Sequence, residues 1–172
     1  SGIARQVLVA ATDSLLVAPT LAAYEEKDRL LTSQNSNGFI PGEAGAAMLV
    51  QAAGRGAGPE LVCTGIGAGM EHATVNSVEP LRADGLVAAF RAALGEAGCA
   101  MGDMDFRITD VAGEQYHFKE ASLALSRTLR KRKEEFDIWH PADCVGEVGA
   151  VAGVVSLAVG GYAAAKDYSK GL

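Results

Sequence analysis

The sequence predicts a layered α/β fold, and three observations carry that expectation. Short apolar runs with β-branched residues alternate with segments of helical period through the second half of the chain. The glycine-punctuated turn Asn37-Gly-Phe-Ile-Pro-Gly42 opens directly into the small apolar stretch Ala44–Val50. Near the carboxyl end, Gly149 to Ala165 carries no charge and is built mainly of Ala, Gly and Val. A chain of 172 residues with 49% apolar and 21% charged residues suits one globular domain and argues against disorder. Such a chain buries roughly 70% of its unfolded surface.

The elements follow in order. Val7–Ala11 reads as a buried strand, and residues 15–36 as an excursion of mixed polarity. Ala46–Ala52 reads as a second strand. Glu60–Gly67 reads as a third, entered through the turn Gly54-Arg-Gly-Ala-Gly-Pro59. Asp84 is placed to cap a helix that runs to about Gly98, with Leu86, Phe90, Leu94 and Ala97 on one face. Phe106–Val111 alternates like a strand, and Glu120–Lys133 reads as a helix with Leu125 and Leu129 on one stripe. Phe136–Trp139 is a short strand, and strand–helix alternation here predicts parallel pairing. Val148–Ala165 is apolar almost all round. It falls short of the ~20 residues of a membrane span, so a helix buried on all sides is expected.

The segment Gly38-Phe-Ile-Pro-Gly-Glu-Ala-Gly-Ala-Ala-Met-Leu-Val50 resembles the GF-x-x-GEGA-x-A-L-V-L segment of β-ketoacyl synthases, members of the thiolase superfamily. Asp84–Leu94 is similar to the Ala-rich helix of that family, and Gly146-Glu-Val-Gly-Ala-Val151 to the start of its GAAGA helix. The resemblance implies a thiolase-like layered fold, α/β, incomplete here and holding the central part of a two-half core. It implies the end of the first half over about residues 1–54 and most of the second over about 60–172. The family's nucleophile helix would then lie before Ser1, and its closing strands after Leu172. The apolar segment 148–165 would fill the space between two sheets.

The same resemblance implies acyl-thioester transfer or condensation, of the kind used in fatty acid biosynthesis, but the family's catalytic positions are replaced. Aligned on Gly113, the first histidine falls on Ala112. Aligned on Gly146 and Gly149, the second falls on Asp143, and the supporting lysine falls near Ile138. An alanine donates no hydrogen bond, and a carboxylate repels an oxyanion. Loss of one oxyanion donor alone costs ~10²–10³ in rate.

Other residues compete for a role. Cys144 precedes the expected helix start at Gly146, where a helix dipole favours the thiolate; a small buried residue is the plainer account of Cys63, Cys99 and Cys144. Glu114, Tyr116 and His117 lie just beyond the strand end at Val111, where α/β folds place ligands, so they form a candidate remodelled pocket. Asp143 and Glu147 flank a helix N-terminus and complement its dipole. His140 reads as a packed or solvated histidine, and His72, His117 and His140 lack metal-ligand spacing. Arg127–Lys133 reads as a solvated basic face or a contact for an acidic partner. Gly65-Ile-Gly-Ala-Gly69 has GxGxG form but does not open into a helix, so a nucleotide site is not expected.

No cofactor and no metal are expected. A net charge of −6 discourages binding to nucleic acid or anionic membranes. Three cysteines without CxxC spacing point to a reducing, cytoplasmic setting, and Ser1–Gln6 shows no signal-peptide pattern. Three functions stay open at this point. The first is an acyltransferase of the β-ketoacyl synthase type, impaired by the replaced positions. The second is a non-catalytic thiolase-like scaffold or adaptor that binds a protein, and the third an unrelated small α/β binding domain. Expected partners are the missing part of the same fold or a second subunit, a homodimer, and an acyl carrier protein or another protein.

Overall fold

The computed structural model describes residues 5–56, 60–164, 166 and 170–172. Part of the expected turn 54–59, Ala165 of the apolar segment and the first four residues lie outside these. Strand β1 (Gln6–Ser14) pairs antiparallel with β2 (Glu43–Gln51), in a register from Gln6 opposite Gln51 to Ser14 opposite Glu43. Side chains fix both ends of that register. Gln6 Nε2 donates to Gln51 Oε1 at 2.8 Å, and Ser14 Oγ to Glu43 Oε2 at 3.0 Å. The excursion between the strands holds a helix that the sequence did not announce, α1 (Ala18–Glu25), which starts on Pro19 at its first turn.

The second sheet is parallel, as expected: β3 (Phe106–Ile108) against β4 (Asp137–Trp139). Helices α2 (Asp84–Ala97) and α3 (Gln115–Thr128) pack on each other. Ala83, Val87 and Ala124 are buried between them, with Leu86, Phe90 and Leu123 alongside. A second core cluster joins Leu94, Met101 and Met104 to Leu125 and Leu129. Each large apolar side chain buried there contributes about 1.5–3 kcal/mol.

Both helices start on groups supplied from elsewhere. Asp84 does not cap α2. Ala83 occupies the cap position in the left-handed region at φ 56°, and Glu71 Oε2 accepts the Gly85 amide at 3.1 Å instead. Asp84 turns outward to Arg127 at 2.7 Å. Helix α3 starts at Gln115, well before the expected Glu120, because Asn37 Oδ1 accepts the Gln115 amide at 2.8 Å. Gly98 ends α2 with φ 67°, as its position predicts.

Glu60–Gly67 is not a strand of either sheet. Gly65, Gly67 and Gly69 press in turn on the backbones of Ala93, Ala89 and Gly85 of α2, so closely that a Cβ at any of them would collide. Two extended residues advance about 6.6 Å and four helical residues about 6.0 Å, so alternate glycines track every fourth helix position. That close packing is what the GxGxG pattern encodes.

After the short helix α4 (Ala142–Val145) and a 3₁₀ turn at Gly149–Val151, α5 (Ala152–Ala164) touches β2 of one sheet and β3 of the other. Its expected all-round burial holds at some positions and not at others. Val154, Gly160 and Ala163 are buried, whereas Leu157 is 48% and Tyr162 65% exposed. Among the described residues no helix is long and apolar enough to cross a membrane.

Candidate functional site: an acidic cleft closed by an ion pair

Three loops meet beyond the carboxyl ends of β3 and β4. The 38–42 turn is stitched to the loop before α5: the Glu147 amide donates to Ile40 O, and the Gly42 amide to Glu147 O, both at 2.8 Å. Gly42 lies so close to the Val145 carbonyl that no side chain fits there. The third loop, 109–114, carries Thr109 and Asp110 out of β3 and leads into α3.

Glu114 stands at the head of α3 and is 6% exposed. A buried carboxylate needs a partner, and Arg29 supplies it from 85 positions earlier in the chain. The guanidinium grips both oxygens, Nε to Oε1 at 2.8 Å and Nη2 to Oε2 at 2.7 Å. Its plane also rests near the rings of Tyr24 and Phe39, at 5.3 and 5.7 Å. The bond to Glu114 tightens the hold of Arg29 on its proton.

One turn along α3, His117 lies between two carboxylates, 3.6 Å from Glu114 Oε2 and 3.8 Å from Glu120 Oε2. Burial pushes the Glu120 carboxyl above its usual range, although His117 opposes the shift. Burial likewise raises Glu147; its Oε1 accepts the Gly149 amide at 2.8 Å, which opposes the rise, and nearby Asp110 adds to it. Leu15, Tyr24, Arg29, Phe39, Asp110, Glu114, His117, Glu147 and Gly149 line a cleft of about 210 Å³. Among the described residues no group of three or more His, Cys, Asp or Glu side chains is placed to hold a metal ion.

The cleft therefore brings together Glu114 and His117, and adds Glu147, which the sequence had placed only at a helix start. Tyr116 turns away: its hydroxyl donates to Ala73 O at 2.6 Å, and burial raises its pKa. Cys144 is exposed on α4, and Asp143 beside it is exposed too. The free amides at the start of the apolar helix are taken by others, Gly149 by Glu147 and Ala150 by Asp13 Oδ2 at 2.9 Å. Ala112 is half-buried and Ile138 is 37% exposed on β4. His140 is packed: its Nδ1 lies 2.8 Å from Thr109 Oγ1 and its ring stands against Phe118. Cys63 is exposed, Cys99 lies beside the second core cluster, and His72 is exposed. In the basic run, Arg127 pairs with Asp84 and Lys133 donates to Gly102 O and Met104 O, which leaves Arg130, Lys131 and Arg132 in solvent.

Arg29 was the residue that sequence reasoning missed. It lies in a stretch without periodicity, and nothing local marks it. The usable signal was indirect: an acidic residue just past a buried strand end demands a cation.

This arrangement sits on a fold that solved ketosynthase structures share. The chain superimposes on a type II polyketide synthase ketosynthase in complex with its acyl-carrier protein and bound to the hexaketide, with a TM-score of 0.75 at 18% identity. The match covers 92% of this chain and 43% of that one. The ishigamide ketosynthase/chain length factor gives 0.74 at 21% identity, over 94% of this chain and 41% of that one. A β-ketoacyl synthase from Burkholderia phymatum STM815 gives 0.72 at 17% identity, over 92% and 42%. The fold is thus thiolase-like and α/β, and the chain spans about two fifths of the length of these structures. No family model and no curated protein matches the sequence.

Proposed function

We propose that the chain is a thiolase-like subunit that does not condense acyl thioesters and instead serves as a scaffold for a protein partner. The ion pair of buried Glu114 with Arg29, two positions along the chain from Ala112, carries this reading. The fold's oxyanion chemistry needs donors aimed at a developing negative charge. Here a carboxylate follows, by two residues, the position that the family resemblance gives to the first histidine, and its one strong donor is already engaged on both oxygens. Asp110 and Glu147 bring two further carboxyl groups to the same cleft. An anion entering that cleft meets repulsion. The two-half division near residues 54–60, a reducing cytoplasmic setting and a homodimer belong to the same proposal, as does an acyl carrier protein or other protein as partner.

Two measurements test it. Purified protein incubated with a malonyl thioester should release carbon dioxide at the uncatalysed rate and carry no acyl group on Cys63, Cys99 or Cys144 by mass spectrometry. Turnover, or an adduct on any of the three, overturns the non-condensing assignment. Isolation from the native cell under gentle conditions should bring down a second protein in a fixed ratio; self-association alone removes the scaffold assignment.

A further inference from the structure

Asparagine is a thermolabile residue, and this chain has it at three positions, Asn35, Asn37 and Asn76. Two of them share the loop ahead of β2, and the fold treats them differently. Asn35 is stitched in at both ends of its carboxamide. Its Nδ2 donates to Asp28 O at 2.7 Å and to Leu30 O at 2.9 Å, and its Oδ1 accepts the Asn37 amide at 3.0 Å. Asn37 is exposed and held only by its Oδ1, which closes the first turn of α3 on the Gln115 amide. Its Nδ2 makes no hydrogen bond among the described residues.

Asn37 is also the one asparagine followed by glycine; Asn35 and Asn76 precede Ser36 and Ser77. A glycine leaves the next backbone nitrogen unshielded by any side chain. Packing permits nothing else at position 38. Gly38 is buried, and a Cβ there would run into the backbone of Leu30 and Leu31. The Gly38 amide makes no hydrogen bond among the described residues. The fold therefore demands a glycine directly after an asparagine that it uses as a cap.

We propose that Asn37 is a site of spontaneous deamidation, and that the product formed decides whether the first turn of α3 stays closed. The Gly38 nitrogen attacks Asn37 Cγ and gives up its proton. The new N–C bond closes a five-membered succinimide, the Cγ–Nδ2 bond breaks, and Nδ2 leaves with that proton as ammonia. Water then opens the ring. Cleavage at Cγ gives aspartate, and cleavage at the main-chain carbonyl carbon gives isoaspartate. Apart from water the step needs only Asn37 and Gly38, and it is independent of the proposed function. Aspartate keeps a side-chain oxygen in the cap position, and a negative group suits a helix start. Isoaspartate routes the main chain through Cγ and leaves its carboxylate directly on Cα. With Gly38 locked against Leu30, that shorter arm no longer reaches the Gln115 amide, and the turn that carries Glu114 and His117 opens.

Ageing the folded chain in mildly alkaline buffer tests the site. Peptide mapping by mass spectrometry should find the mass change of amide to acid at Asn37 well before Asn35 or Asn76, as both aspartyl and isoaspartyl peptides. Amide exchange at Gln115 should quicken about fivefold in the isoaspartyl fraction, the factor that a lost cap implies, and equally in Asn37→Ala. In Asn37→Asp it should stay within about twofold of wild type. Earlier conversion at Asn35 or Asn76 overturns the modification site. So does a folded chain that stays intact at Asn37 after the urea-unfolded chain has converted there. Unchanged exchange at Gln115 in the isoaspartyl fraction, or in Asn37→Ala, overturns the link to the cap.

Discussion

Arg29→Met should be among the most damaging single changes available in this chain. The substitution keeps the length of the side chain and its contact with Tyr24 and Phe39, but leaves the Glu114 carboxylate buried without its cation. Both Glu114 oxygens are engaged at 2.7–2.8 Å and the side chain is only 9% exposed, so little water can take over. Removing one partner of such a pair costs about 3–5 kcal/mol. For a domain of this size each kcal/mol lowers Tm by about 2–4 °C, so a loss of about 6–20 °C is expected. Glu114→Gln should cost only about 1–2 kcal/mol, because the amide still accepts a hydrogen bond and Arg29, at 23% exposure, can reach solvent. Arg29→Met combined with Glu114→Leu should return to within about 1 kcal/mol of wild type, since no buried charge is left over. Urea unfolding at pH 7 followed by circular dichroism provides the cycle. If Arg29→Met loses less than about 1 kcal/mol, or the double variant is no more stable than Arg29→Met, the buried-charge account of the cleft is wrong.

Further outcomes are expected elsewhere in the fold. Burial raises the folded-state pKa of Glu147 above the ordinary 4.5, so its contribution favours folding below about that pH and is lost as pH rises through the folded value. Glu147→Gln should therefore gain stability over wild type at neutral pH, and the gain should vanish below pH 4.5 in pH-resolved unfolding curves; a gain that persists in acid contradicts the assignment. Gly67→Ala drives a methyl group into the backbone of α2 at Ala89 and should cost about 1–3 kcal/mol by thermal melting. Full stability in that variant would contradict the close packing of the GxGxG stretch on α2. Glu71→Ala removes the acceptor for the Gly85 amide and should cost about 0.5–2 kcal/mol, with faster exchange at that amide as the local signature.

Much of this architecture can be read from the residues. Periodicity and β-branched runs locate β1, β2, β3, β4 and α2, and Gly98 marks the end of α2 because only a left-handed residue closes it. Patterning says less about where a helix begins when the cap comes from afar. Nothing between Val111 and Glu120 announces the start of α3, because Asn37 closes its first turn. Glu60–Gly67 has the composition of a strand and is extended, yet a strand also needs a neighbour, and composition does not say whether one is present. At the cleft, Glu114 and His117 were visible from their place after a strand end. Arg29 was not, because an ion pair across 85 positions leaves no trace in local sequence. The apolar character of α5 was legible too, and it touches both sheets, yet patterning does not say which of its positions this chain itself covers.

The borrowed caps also bear on how the molecule folds. The acceptor for the first turn of α3 is Asn37, 78 positions away at the start of the 37–42 turn. Helix α3 can nucleate from its middle, over Leu123 and Leu125, as soon as it meets α2. Its amino-terminal turn, with Glu114 and His117, must wait until that distant loop arrives, and closing so large a loop is entropically slow. The acidic cleft should therefore be the last region to order during refolding, and the first to fray under mild denaturant.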